Sequence, residues 1–305
     1  MNRNAVSKFI SVFLYSCLCL SLLTLSSQSI FAIEMEYVEV RNEKNKTIKF
    51  SRLIMGTDHL AQVDWNGRDS KKISEKDIFN LLDEAARLGI NLFDTAPIYV
   101  GDIEFKLGKW VKSWKRRNPG KEVYVLSKGG FPFDLYWAKK LPLGENSNCL
   151  QEMLQAVHTM AEGYRELPNV PIGTYASRLF GSKEQINERI SEEIGHTLKN
   201  LDGNPTVYLM HRDDGDFINY EGIKRSKTPV RRIMEALSEK ELRNKFTFLG
   251  WSNWKPYRIT RSIKLAQKHS HLAKPCFNSP YFSLFEMSER SIHAGGVQVT
   301  HEDMM

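Results

Sequence analysis

The chain has 305 residues, 41% of them hydrophobic and 26% charged, enough to bury a sizeable core without disulfides or metals and close to ordinary globular composition. Its formal net charge of +7 and sequence pI of about 9.1 come from lysines and arginines mixed with acids along the helices. No basic stripe with interleaved aromatics is present, so no nucleic-acid partner is expected.

Residues 1–32 read as an export signal. Arg3 and Lys8 precede an apolar run from Phe9 to Leu25, and Ile30-Phe31-Ala32 offers a small residue before a cut. The expectation is a secreted or periplasmic protein exported by this leader, with residues 33–305 as the mature domain. An uncleaved leader would instead be a membrane anchor, and a cytoplasmic chain is the other alternative. Cys17 and Cys19 fall inside the leader, which leaves Cys149 and Cys276. Two such cysteines make neither a disulfide framework nor a metal site, and no metal is expected.

From about residue 50 a short apolar run, a polar turn and an amphipathic helix alternate. The runs are Ser51–Gly56, Asn91–Thr95, Glu122–Ser127, Thr206–His211, Phe246–Trp251 and Pro275–Tyr281, which read as buried parallel strands. Ser74, with Asp77 three residues on, caps a helix carrying Ile78, Leu81, Leu82, Ala85 and Leu88, and Gly89 stops it. Ser182 with Gln185 opens a helix whose Ile186, Ile190, Ile194 and Leu198 recur at intervals of four. Thr228-Pro229 starts another, and 256–269 is a further one. Such alternation is an α/β fold with a parallel sheet, either doubly wound or closed as a (β/α)₈ TIM-type barrel.

A long stretch between Lys128 and the strand at Thr206 breaks the rhythm. Residues 133–176 read as a loop insertion shaping substrate access, with a helix from Cys149 to Tyr164. Thr300, with Asp303, has the pattern of a helix cap immediately before the last residue, Met305. The reading is about six βα units of a barrel that needs eight, an incomplete barrel expected to be a poor holoenzyme.

Three of these strands deliver a chemically capable residue where they meet their loops, the end of a parallel barrel that supports chemistry. Asn91-Leu92-Phe93 delivers Asp94, with Tyr99 five residues on; Val123–Ser127 delivers Lys128; Val207–Met210 delivers His211. In this order and spacing the four resemble the catalytic tetrad of the aldo-keto reductases. Gly56-Thr57, the run Glu104–Gly108, Ser177-Arg178-Leu179 and Gly250-Trp251-Ser252-Asn253 extend the resemblance over roughly residues 50 to 305. It implies a (β/α)₈ barrel and a hydride transfer between NADP(H) and a small carbonyl or alcohol. Tyr99 would then be the proton donor, Lys128 its tuner, Asp94 the holder of Lys128, and His211 the orienter of the carbonyl. Gly56, Thr57, Asp94, Ser252, Asn253 and Ser279 would face the cofactor, Ser279 standing where the family commonly has glutamine. The chain departs from the family at Tyr99-Val100-Gly101, where the spacing to the glutamate is short. The alternative reading is a barrel remnant that does not catalyse, or a binding protein.

The chemistry agrees with the resemblance. A phenol titrates near 10 and is a weak acid at neutral pH. A neighbouring ammonium eases its ionisation, and a carboxylate on the far side keeps that ammonium charged and aimed.

Overall fold

The computed structural model describes residues 34–58, 60, 73–97, 99, 102–130, 183–211, 213, 228–280, 292–293 and 296–297. The leader, the insertion at 133–176, Ser177–Leu179, the Ser182 cap and the Thr300 cap lie outside these residues. The elements below belong to the unit Glu36–Met305.

The fold opens with an antiparallel hairpin, β1 (Tyr37–Arg41) and β2 (Thr47–Ser51), Tyr37 facing Ser51 and Arg41 facing Thr47. Its turn is held by Asn42, whose Oδ1 accepts the Lys44 and Lys46 N–H groups at 2.9 and 3.0 Å. Asn45 supplies the left-handed residue with φ 60°. The sequence reading placed a strand over Ser51–Gly56 and gave no hairpin. Ser51 instead ends β2, and the first parallel strand, β3, is only Met55–Gly56.

Six parallel strands then pair in chain order: β3, β4 (Leu92–Asp94), β5 (Tyr124–Gly129), β6 (Val207–Met210), β7 (Phe248–Ser252) and β8 (Pro275–Ser279). Helices connect and cover them: α1 (Glu75–Arg87), α2 (Ile103–Arg117), α3 (Lys183–Leu201), α4 (Val230–Ser238), the short α5 (Lys240–Arg243) and α6 (Pro256–Lys268). Two further short strands, β9 (Ile292–His293) and β10 (Gly296–Val297), form a separate antiparallel pair. The Ser74 hydroxyl accepts the Asp77 N–H at 3.1 Å, so α1 begins where its cap pattern predicts. Among the described residues no helix is long and apolar enough to cross a membrane.

Strand parity builds two layers. Leu92, Leu126, Val207, Leu209 and Phe248 point inward and form one apolar cluster with Phe50 of the hairpin. Phe50 lies edge-on to Tyr124 of β5, Phe248 of β7 and Phe277 of β8, with ring centroids 5.3, 5.5 and 5.5 Å away. One side chain reaching rings on β5, β7 and β8 requires the sheet to curl around a common axis. The outward set packs under the helices: Phe93 and Val125 beneath Ile78, Leu82, Leu107 and Trp110, and Tyr208 and Met210 beneath the buried Ile186, Ile190 and Ile194.

The approach of α2 to α3 depends on one missing side chain. A Cβ at Gly108 would stand 2.5 Å from the Asn200 carbonyl oxygen and 2.7 Å from Leu201 Cα. Both obstacles are backbone, so Gly108→Ala is expected to push the helices apart and cost about 1–3 kcal/mol. Urea unfolding of the two proteins measures it; equal midpoints would contradict this contact.

Candidate active site

The inward parity that puts Leu92 and Leu126 in the core carries Asp94 and Lys128 to the top of the same inner column. Both lie where their strands end, Gly56 pairing with Asp94 across β3 and β4. Lys128 is 3% exposed and is surrounded by acceptors. Its Nζ contacts Asp94 Oδ1 closely, and reaches Tyr99 Oη at 2.6 Å and the Thr95 carbonyl at 3.2 Å. The Tyr99 hydroxyl stands 3.5 Å from Asp94 Oδ2, the outer limit of a hydrogen bond. Burial raises the proton affinity of Asp94 above that of an ordinary carboxyl, and the charge of Lys128 pulls against that rise.

His211 follows β6, its N–H donating to the Gly129 carbonyl at 2.6 Å. Its ring meets that of Tyr99 edge-on at 6.0 Å and 80°. The structure thus gathers all four residues expected to form the tetrad around the Tyr99 ring and hydroxyl.

The remaining expected residues fall into two groups. Gly56 and Thr57 stand against the backbone of Asp94, Thr57 donating through both its N–H (3.0 Å) and its hydroxyl (2.8 Å) to the Asp94 carbonyl. Ser252, Asn253 and Ser279 form a second group at the ends of β7 and β8. Ser252 pairs with Ser279, and Asn253 N–H donates to the Ser279 carbonyl at 3.1 Å. Asn253 takes φ 55°, a left-handed conformation that asparagine tolerates better than most residues. Its Nδ2 donates to Ser252 Oγ at 3.0 Å, while its buried Oδ1 has no hydrogen-bond partner among the described residues.

Two features went unread in the sequence. Asp213, fully buried, pairs with Arg258 Nε at 3.0 Å and accepts the Lys255 N–H at 3.2 Å. The Arg258 guanidinium also donates to the Thr228 carbonyl at 3.1 Å and lies 4.7 Å from the Trp254 ring, whose Nε1 donates to Met210 O. The loops after β6 and β7, which carry His211 and Asn253, are welded together. The second feature is Glu104, noted only as part of a sequence run. It is 2% exposed and accepts from Ser127, Thr197 and Asn200. Neither was legible because both depend on partners far away in sequence; an acid at a buried helical position was the one available hint.

A curled parallel sheet with helices outside, bearing a lysine-backed tyrosine at its carboxyl end, defines an α/β barrel suited to moving a proton to or from an oxygen. The aldo/keto reductase family profile matches residues 52–294, most of the chain, and the chain belongs to that family. The (β/α)₈ barrel is the fold of the family, whose members are typically nicotinamide-dependent oxidoreductases acting on small carbonyl compounds. No curated protein matches the chain.

Proposed function

We propose that this chain reduces small aldehydes or ketones with NADPH, and oxidises the corresponding alcohols with NADP, using Tyr99 as the acid and base. The observation that carries the reading is the contact of Lys128 Nζ with Tyr99 Oη at 2.6 Å, with Asp94 against the ammonium and 3.5 Å from the same hydroxyl. The Lys128 ammonium donates a hydrogen bond to the phenolic oxygen, and the phenol's own hydrogen is the one that Tyr99 would pass to the substrate. As negative charge develops on the carbonyl oxygen, Tyr99 releases that hydrogen, and Lys128 offsets the charge left on the phenolate. Asp94 holds the Lys128 ammonium in place. His211 orients the carbonyl oxygen by donating a hydrogen bond beside Tyr99.

The residues present suit a nicotinamide. A carboxamide has one acceptor and one donor group, and the Ser252–Asn253 pair offers a hydroxyl donor beside the unpartnered Asn253 Oδ1 acceptor. Gly56 and Thr57 would border the cofactor next to Asp94. When bound, the reduced nicotinamide supplies the hydride. NADP rather than NAD is proposed on the habit of the family.

The test is NADPH oxidation by the purified chain with a reactive aldehyde, followed by absorbance, beside a fluorescence titration of NADPH and NADH. Saturable, aldehyde-dependent oxidation with tighter NADPH binding is expected. Absence of binding by either dinucleotide would overturn the proposal.

A further inference from the structure

Glu104 is a buried charge that the tetrad does not use. It sits in the first turn of α2, in the layer between β5 and the helices. Its two oxygens meet three donor groups, with Ser127 and Thr197 hydroxyls on Oε1 and Asn200 Nδ2 on Oε2 at 2.8 Å. A carboxylate accepts through both oxygens, and this pattern fits that form. Ser127 immediately precedes Lys128, and parity turns the two side chains to opposite faces of β5. Just beyond Lys128, the Gly130 N–H donates to Glu193 Oε2 of α3 at 2.9 Å. Carboxylates therefore grip the lysine-bearing strand end on both sides of Lys128.

We propose that Glu104 is a positioning residue for the proton-donating pair. Its carboxylate fixes the end of β5 and adds a negative charge behind Lys128, which keeps Tyr99 protonated to higher pH. The inference rests on the function proposed above. Lys128 is the charged group that Glu104 interacts with across the strand; Ser127, Thr197 and Asn200 are neutral. Glu193 is the second acid at this strand end, and Asp94 and Tyr99 are reached through Lys128. Burial raises the proton affinity of Glu104, while its three donors and Lys128 oppose the rise. The sign of the effect follows from charge. Lys128 alone favours the phenolate, and a negative charge behind it opposes that preference. Removing one such charge in a partly desolvated layer moves a neighbouring titration by roughly half to one pH unit.

The experiment compares the wild-type chain with Glu104→Gln and Glu104→Asp. Two readouts are used: the pH profile of kcat for aldehyde reduction, and the ultraviolet phenolate titration of Tyr99, isolated by subtracting Tyr99→Phe in each background. Glu104→Gln should move both midpoints to lower pH by roughly half to one unit, and Glu104→Asp should return them close to wild type. A lower melting temperature with unmoved midpoints would mean a purely structural role and overturn the proposal, as would any upward movement. A phenolate midpoint that moves in a chain reducing no carbonyl would sustain the coupling and instead sink the proposed function. If Glu104→Gln does not accumulate in folded form, Glu104→Asp against Glu104→Asn poses the same comparison with a shorter side chain.

Discussion

Tyr99→Phe is expected to lower aldehyde reduction by about 10²–10⁴-fold, the range that a positioned general acid supplies. The substitution removes one oxygen and leaves the ring that packs edge-on to His211. Lys128 keeps Asp94 and the Thr95 carbonyl as acceptors, so its buried ammonium is not stranded. Ser252 and Asn253 sit on other strands and do not depend on the hydroxyl, so NADPH affinity should change little. The expected signature is a collapse of kcat with cofactor binding preserved, read from NADPH absorbance and fluorescence respectively. Unchanged turnover would remove Tyr99 from the mechanism. A parallel loss of cofactor binding would point to a disturbed fold instead.

The largest expected loss of stability lies at the weld between the loops after β6 and β7. Asp213 is fully buried and Arg258 is 4% exposed, so deleting either charge takes an ion-pair partner from the other where water does not reach. Asp213→Ala should cost about 3–5 kcal/mol, a large part of a total stability of ~5–15 kcal/mol. It also removes the carboxylate oxygen that accepts the Lys255 N–H. Replacing both partners with apolar residues, as in Asp213→Leu with Arg258→Met, should recover much of the loss, because no buried charge is left unmatched. Urea midpoints of the single and double variants decide the matter. A double variant no more stable than Asp213→Ala would show that the penalty does not come from a stranded charge.

These two predictions differ in how far the sequence anticipated them. Asp94, Lys128 and His211 were readable because each ends a short apolar run, and strand ends of a parallel barrel converge whatever the helices between them do. Tyr99 was readable only through the resemblance to the aldo-keto reductases, which sets a tyrosine five residues after the aspartate. The Asp213–Arg258 pair was not readable: its members sit on separate βα units, and nothing local to Arg258 distinguishes it from a surface arginine on an amphipathic helix. The hairpin was missed for a different reason. Ile48 and Phe50 alternate with polar residues as a strand should, but the run is short and rich in lysine and threonine. The apolar residues Leu53 and Ile54 drew the strand forward, although the structure leaves both exposed. Strand edges elsewhere shifted by a residue or two, as at β7, read as Phe246–Trp251 and found at Phe248–Ser252.

The hairpin also imposes a schedule on the growing chain. Phe50 needs rings from β5, β7 and β8, Asn42 donates to the Thr247 carbonyl across 205 residues, and Arg243 reaches back to Glu43 across 200. The segment emerging early from the ribosome thus has its partners made late. At about 5–20 residues per second, the interval is on the order of ten seconds or more. Throughout it the cluster around Phe50 lacks the rings of β7 and β8. Completion of this core is therefore a late, long-range event, of the kind that slows folding and leaves nascent chains dependent on being shielded from one another.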